Sequence, residues 1–108
     1  MPPTPAPTSS GDSNEGYILY RGSEYTYDKC PEGQEVGQSE CLAAANSLTT
    51  DLSITNKENG PMVYDWNFTP CGCFVYNDQL IDYDPVCGNS KHNVHSDLVC
   101  KKVSSFHL

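Results

Sequence analysis

The number of cysteines constrains this chain more than any other feature of its sequence. Six occur within 108 residues, all after the first quarter of the chain, at Cys30, Cys41, Cys71, Cys73, Cys87 and Cys100. An even number of cysteines at this density in a short chain indicates a disulfide framework, and disulfides persist in oxidising compartments. We therefore expect a small extracellular or cell-surface domain that is held together by three disulfides.

Zinc coordination is the alternative use of these cysteines. Structural zinc sites take cysteines at Cys-x-x-Cys spacing, and this spacing does not occur in the sequence. Cys71 and Cys73 are separated by one residue, so on a strand their side chains would point to the same face and could bond to each other only with distortion. We expect each of them to bond a different partner.

Six cysteines allow fifteen pairings, and the sequence alone does not decide among them. The pairing that we favour is Cys30 with Cys100, Cys41 with Cys73, and Cys71 with Cys87. The first bond would close a loop of about 70 residues and remove on the order of 4 kcal/mol of chain entropy from the unfolded state. A domain with so small a core benefits from such cross-links.

The charge of the chain argues against two classes of partner. Fourteen acidic residues stand against six basic ones, which gives a formal net charge of −8. Such a chain is a poor partner for nucleic acid and for anionic membrane surfaces. We find no apolar run of the roughly 20 residues that span a bilayer and no signal-peptide core, so we expect no membrane insertion. The sequence then corresponds to a secreted chain without its signal, or to a piece of one with an added Met1.

The first sixteen residues differ in composition from the rest. They are rich in proline, threonine and serine and have no large apolar residue after Met1, so we expect a linker or arm at 1–16, a domain at 17–103 and a tail at 104–108. The prolines favour an extended polyproline conformation. The hydroxyl residues among them are of the type that carries O-glycans on extracellular stalks, namely Thr4, Thr8, Ser9 and Ser10.

Within the domain, the pattern of apolar residues predicts one helix and several short strands. Cys41, Ala45 and Leu48 recur at helical spacing after Ser39, which can cap a helix. A hairpin is predicted around Asn77-Asp78, since both residue types tolerate left-handed backbone. Strands are predicted at 17–20, 24–27, 62–66, 73–76, 79–83 and 98–100. We therefore expect an α+β fold, with one helix packed on an antiparallel sheet of short strands.

Part of this order resembles a known kind of module. Cys30, then Glu40-Cys41 opening an alanine-rich helix, then the run Gly72 to Tyr76 and a last Cys100 are similar to the cysteine-rich modules that recur in secreted and surface proteins of algae and other protists. The resemblance covers roughly residues 17–103, and Cys71 with Cys87 looks like an added pair. It implies an extracellular repeat or surface unit and no catalytic residue.

Two groups of side chains could bind a metal. Asp78, Asp82 and Asp84 form the densest set of oxygen ligands, and calcium would suit an extracellular acidic module. They lack the regular calcium-loop pattern, so a solvated strand face is the alternative. His92 and His95, near Asp97, could bind a transition metal on a helical turn, and a solvated loop is the alternative there. Apart from calcium, we expect no cofactor.

One sequon and four aromatic residues are candidates for contact with other molecules. Asn67-Phe68-Thr69 is an acceptor sequence for N-glycosylation, and a glycan on Asn67 would place Trp66 and Phe68 on the opposite side of a local strand. Aromatic rings stack on sugars and on protein partners, or they simply pack in the core. The candidates for binding are Tyr64, Trp66, Tyr25 and Tyr27.

The sequence favours a non-enzymatic function. It contains no nucleophile elbow, metalloprotease helix, phosphate loop or dinucleotide fingerprint. The first hypothesis is a structural subunit or repeat of an extracellular assembly or filament, whose arm contacts a neighbouring copy or another extracellular protein. The alternative is a stalked module for adhesion or carbohydrate binding. We expect an enzyme to be the least suitable class.

Overall fold

The structure, a computed structural model, describes residues 13–102. In this range the chain forms β1 (Tyr17–Tyr20), α1 (Gln38–Leu48), β2 (Met62–Val63), β3 (Gly72–Tyr76), β4 (Leu80–Asp84) and β5 (Ser96–Lys101). The strands make one sheet in the order β1-β5-β3-β4-β2. The pair of β2 and β4 is parallel and the other pairs are antiparallel, so the predicted α+β fold is confirmed with a mixed sheet.

The hairpin of β3 and β4 follows from its turn residues. Asn77 and Asp78 have φ values of 56° and 58°, the left-handed conformation that asparagine and aspartate adopt more readily than other side chains. The Gln79 N–H donates to the Tyr76 carbonyl at 3.0 Å and closes the turn. The predicted hairpin is confirmed.

The helix packs through small residues. Its buried residues are Cys41, Ala44, Ala45 and Leu48, and the two alanines let its backbone lie close to the sheet. The helix begins at Gln38 after Gly37 in extended conformation, so the prediction that Ser39 caps it is wrong. Ser39 lies inside the first turn, where its side chain is too far along the chain to act as the cap.

Two predicted strands differ from the structure. The segment at 24–27 is no strand, because the N–H groups of Glu24 and Tyr25 both donate to the Arg21 carbonyl and turn the chain. The strand predicted at 62–66 ends at Val63. The Trp66 N–H donates to a side chain instead of to a strand, as described below, and this takes the chain out of the sheet.

Three disulfides link the elements, in the pairing that the sequence analysis favoured. Cys41–Cys73 ties α1 to β3. Cys30–Cys100 ties the loop before α1 to β5, and Cys71–Cys87 joins the segments that flank the β3–β4 hairpin. All six cysteines are therefore bonded, and the domain is disulfide-rich.

The domain begins earlier than residue 17. Ser13 forms an isolated bridge with Ile18, and the Asn14 amide donates to the Ser47 hydroxyl at 3.0 Å. Residues 13–16, which the sequence assigned to the arm, thus lie against the folded part. The rest of the arm, with Thr4, Thr8, Ser9 and Ser10, and the tail after residue 102 lie outside the described residues.

The sheet has two different faces. One face packs on α1. The other, here called the loop-covered face, lies under the segments that precede α1 and β3 and holds a second apolar cluster around Phe74 and Leu98. One row of paired residues crosses all five strands on this face: Tyr20, Leu98, Phe74, Asp82 and Met62. Among residues 13–102 we find no helix that is long and apolar enough to cross a membrane.

Candidate functional site

A pocket of about 220 Å³ opens on the loop-covered face, at the end of the sheet formed by β4 and β2. We call it the Trp66 pocket. Its lining is Met62, Trp66, Phe68, Thr69, Tyr76, Leu80 and Asp82. Most of these side chains are aromatic or aliphatic, and Asp82 is the one acidic residue among them. Pockets for small molecules commonly combine apolar walls with few polar groups in this way.

The strands supply one wall of the pocket because of their register. Leu80 and Asp82 are two residues apart on β4, so their side chains share the loop-covered face. Tyr76 on β3 pairs with Leu80, and Met62 on β2 pairs with Asp82. Asp82 is 4% exposed and Met62 is 54% exposed, so the carboxyl lies at the buried end of the pocket and the methionine at its mouth.

The segment from Trp66 to Thr69 supplies the other wall, and Asp84 holds it in place. One carboxylate oxygen of Asp84 accepts the Trp66 N–H at 3.1 Å and the Thr69 hydroxyl at 3.5 Å. Its other oxygen accepts the Val86 N–H at 2.9 Å. A buried carboxylate with three donors is satisfied, and it fixes the segment over the strand face.

The loop that precedes β5 makes further contacts with the same segment. The Asn93 amide donates to the Phe68 carbonyl at 3.0 Å, and the Lys91 N–H donates to the Thr69 carbonyl at 2.9 Å. The Cys71–Cys87 bond lies next to this segment in the chain. Trp66 itself packs edge-on against Phe74, with ring centroids 5.8 Å apart. The pocket is therefore formed before any ligand arrives, which lowers the entropy cost of binding.

Asp82 differs from Asp84 in having an oxygen without a partner. Its Oδ1 is buried and has no hydrogen bond to any described residue. Burial raises the pKa of this carboxyl from 3.8 to about 6, because the ionised form loses its hydration. A buried charge without a partner destabilises a protein, and a natural domain keeps such a group mostly where it has a use.

The predicted calcium ligands do not form one site. Asp78 is exposed at the hairpin turn, with Arg21 at 3.6 Å. Asp82 and Asp84 share a strand face, as predicted, but the hydrogen bonds just described occupy Asp84. Within residues 13–102 we find no group of three histidine, cysteine or acidic side chains that could hold a metal ion. The structure therefore does not bring these three residues together as one calcium site.

The two histidines also have separate surroundings. His92 Nε2 lies 2.7 Å from the Gly22 carbonyl, whereas the His95 ring packs edge-on against Tyr76. Asp97 accepts the Gly22 N–H at 2.7 Å. The predicted transition-metal site is not formed, because residues 92–95 make no helical turn that would bring the two rings together.

The four aromatic candidates fall into two groups. Tyr64 and Trp66 contact each other, with centroids 5.2 Å apart, beside the Trp66 pocket. Tyr25 and Tyr27 stack on each other at 5.5 Å and both pack edge-on against Tyr20 on β1. Since strands lie about 4.8 Å apart, three strand spacings, or roughly 14 Å, separate Tyr20 from Asp82 along their shared row. The first group adjoins a pocket that holds a free polar atom, the buried oxygen of Asp82.

The glycosylation sequon lies on the rim of the same region. Asn67 is exposed and its side chain accepts a hydrogen bond from the Asn89 amide. Trp66 and Phe68 both line the pocket, and Asn67 between them does not. The sequence placed these two rings together, although the segment is a bend and not a strand. A glycan on Asn67 stays a prediction.

Sequence reasoning missed most of the pocket. Phe68, Tyr76, Leu80 and Met62 were not proposed as binding residues, and Asp82 was assigned to a metal. Strand alternation gave Leu80 and Asp82 a common face, which is the one available signal. Residues 66–69 are held over that face because Trp66 and Thr69 donate hydrogen bonds to Asp84, which is distant in the sequence. No local sequence pattern indicates these bonds.

The chain matches no protein-family model, no curated protein and no solved structure. A function for this chain therefore rests on the geometry and chemistry of the site. A preformed, mostly aromatic pocket with one buried carboxyl can bind an apolar group that carries a hydrogen-bond donor.

Proposed function

We propose that this chain is a non-enzymatic recognition module of an extracellular surface, which binds a partner molecule through the Trp66 pocket. It corresponds to the adhesion or binding module that the sequence offered as an alternative. The observation that carries the proposal is the buried oxygen of Asp82, which lines a preformed pocket and has no partner within the described chain. A ligand that donates a hydrogen bond there would satisfy the group.

An extracellular location is part of this proposal. Three disulfides support it, because such bonds persist where the environment is oxidising. The acidic surface, with a net charge of −8, favours partners that carry positive or neutral groups.

The intrinsic fluorescence of Trp66 tests the proposal, because this is the only tryptophan in the chain. The protein is titrated with four kinds of small probe: methyl glycosides, n-butylammonium chloride, N-methylacetamide and sodium butyrate. We expect at least one class of probe to change the emission of Trp66 in a saturable way. The same probe should shift the NMR signals of backbone amides around the pocket.

The matched variants are Leu80→Ala, inside the pocket, and Val94→Ala, an exposed apolar residue outside it. The first should weaken binding of the active probe and the second should leave it unchanged. If no class gives a saturable response, or if both variants weaken it equally, the pocket is not a binding site and the proposal fails.

The other hypothesis, a structural subunit of an assembly, depends on the proline-rich arm. Residues 1–12 of that arm lie outside the described residues, and the part that is described, residues 13–16, contacts the domain to which it belongs. The assembly function therefore stays a prediction, and deletion of residues 1–12 followed by a measurement of oligomeric state tests it.

A further inference from the structure

We propose that the Trp66 pocket holds the primary ammonium group of a lysine side chain from a partner protein, with the ammonium donating a hydrogen bond to Asp82 and the methylene stem lying on the aromatic wall. The inference rests on the proposed function and names the chemistry of its ligand. It follows from three properties of the pocket: the identity of its polar group, the nature of its walls and its size.

The polar group of the pocket is an acceptor with negative charge. A carboxylate accepts hydrogen bonds and has nothing to donate when ionised, so the ligand atom that meets Asp82 must be a donor. Charged donors bind a carboxylate more strongly than neutral donors do. Among the described residues, no lysine or arginine lines the pocket, and Arg21 and Lys101 pair with acidic residues elsewhere. A cation from outside is therefore the best partner for Asp82.

The walls select an organic cation over a metal ion. Calcium and magnesium take six or more oxygen ligands, whereas Asp82 and Thr69 are the only side chains with such oxygens apart from the Tyr76 hydroxyl. Thr69 already donates to Asp84. By contrast, aromatic rings attract an ammonium group through their quadrupoles and pack against its methylenes, and Trp66, Phe68 and Tyr76 all line the pocket.

The same walls argue against a neutral sugar as the preferred ligand. A sugar ring carries hydroxyl groups around its edge, and each one that is buried needs a hydrogen-bond partner. The pocket offers one free carboxyl oxygen among mainly apolar groups. An alkylammonium group concentrates its donors at one end and leaves an apolar stem, which matches one buried acceptor behind apolar walls.

The size of the pocket fits a side chain. Its volume of about 220 Å³ lies below the roughly 300–1,000 Å³ of sites for drug-sized ligands. Phe68 and Met62 stand at its mouth and are 56% and 54% exposed, so they are free to contact the backbone that carries an inserted lysine. The net charge of −8 would steer a lysine-bearing surface toward the module.

The test compares charged ligands with neutral counterparts. At pH 7.5, the disulfide-intact protein is titrated with n-butylammonium chloride and with n-butanol, and then with Nα-acetyl-lysine N-methylamide and its Nε-acetylated form. Binding is followed by Trp66 emission and by NMR shifts of backbone amides. We expect each charged probe to bind at least tenfold more tightly than its neutral counterpart, and the lysine amide at least as tightly as n-butylammonium.

Two variants separate a specific contact from general attraction. Asp82→Asn removes the proposed acceptor charge, and Asp78→Asn removes one charge from the exposed turn of the same hairpin. The first should weaken binding of the lysine amide at least tenfold, and the second less than twofold. Equal losses in both variants would show that only the net charge matters, and the inference would be wrong.

The remaining outcomes are distinct from a failure of the proposed function. If a methyl glycoside or n-butanol binds in the pocket and the ammonium probes do not, the recognition function stands and the lysine inference falls. If n-butylammonium binds and the lysine amide does not, the pocket takes a free amine and the protein-borne lysine is excluded. If no probe binds, both proposals fall.

Discussion

Replacing Asp82 by asparagine should change how the stability of the protein depends on pH. Burial raises the pKa of this carboxyl to about 6 in the native state, against 3.8 when it is solvated. Between these two values the native state holds a proton that the unfolded chain has lost, so the free energy of unfolding falls as the pH rises through this window. Below pH 3.8 the cost is absent, and above pH 6 it is fully present.

The size of the effect follows from the pKa difference. About two pKa units correspond to about 3 kcal/mol. The residue is 4% exposed but lines an open pocket, so solvent screening makes this figure an upper value. Asparagine has the same shape and no charge. As the pH rises from 3.5 to 7.5, the free energy of unfolding of the variant should therefore increase by about 3 kcal/mol relative to that of the unsubstituted protein.

The assay is urea unfolding of both proteins, followed by Trp66 fluorescence at several pH values with the disulfides intact. The other acidic residues titrate in both proteins, so their contributions disappear when one free energy of unfolding is subtracted from the other. Any constant cost of burying the amide shifts all points equally and leaves the slope unchanged. A difference that varies by less than about 1 kcal/mol across the range would refute the reasoning, since it would mean that Asp82 is hydrated or paired.

Three further changes test the framework around the pocket by urea unfolding. Replacing both Cys71 and Cys87 by serine opens a 16-residue loop and should lower the free energy of unfolding by about 3 kcal/mol; a loss below about 1 kcal/mol would contradict this. Asp84→Ala leaves the Trp66 and Val86 N–H groups without their acceptor and should cost about 2–4 kcal/mol, whereas Asp84→Asn keeps one acceptor oxygen and should cost less; equal losses would count against the anchoring role. Gly22→Ala would place a Cβ 2.6 Å from the Ser96 carbonyl oxygen and should cost more than about 2 kcal/mol, while Gly16→Ala, with open space around it, should cost little; similar effects of the two would disprove the close approach.

The sequence predicted those parts of the fold that depend on local chemistry. The hairpin turn needs residues that tolerate positive φ, and Asn77-Asp78 supplies them. The spacing of Cys41, Ala45 and Leu48 predicts the helix. The parallel pairing of β2 with β4 could not be predicted in this way, because a two-residue strand carries too little pattern to indicate a partner or a direction.

The binding site was less accessible to sequence reasoning for a physical reason. The alternation of β4 places Asp82 and Asp84 on one face, and this much was foreseen. Their different roles depend on what covers that face. The segment at 24–27, predicted as a strand, instead brings Tyr25 and Tyr27 over the β1 side of the face, and residues 66–69 cover the β4 side. Loop paths of this kind are set by contacts between distant residues, which alternation and propensity do not encode.

The contrast between Asp82 and Asp84 explains why the pocket is the best candidate for a function. Asp84 receives three hydrogen bonds and stabilises the domain through them. Asp82, two residues earlier on the same face, has a buried oxygen with no partner and lowers the stability of the native state at neutral pH. An apolar residue at this position would extend the cluster around Phe74 and remove that cost. Because departures from good packing concentrate at functional sites, an external donor to Asp82 gives this residue a role that the fold itself does not provide.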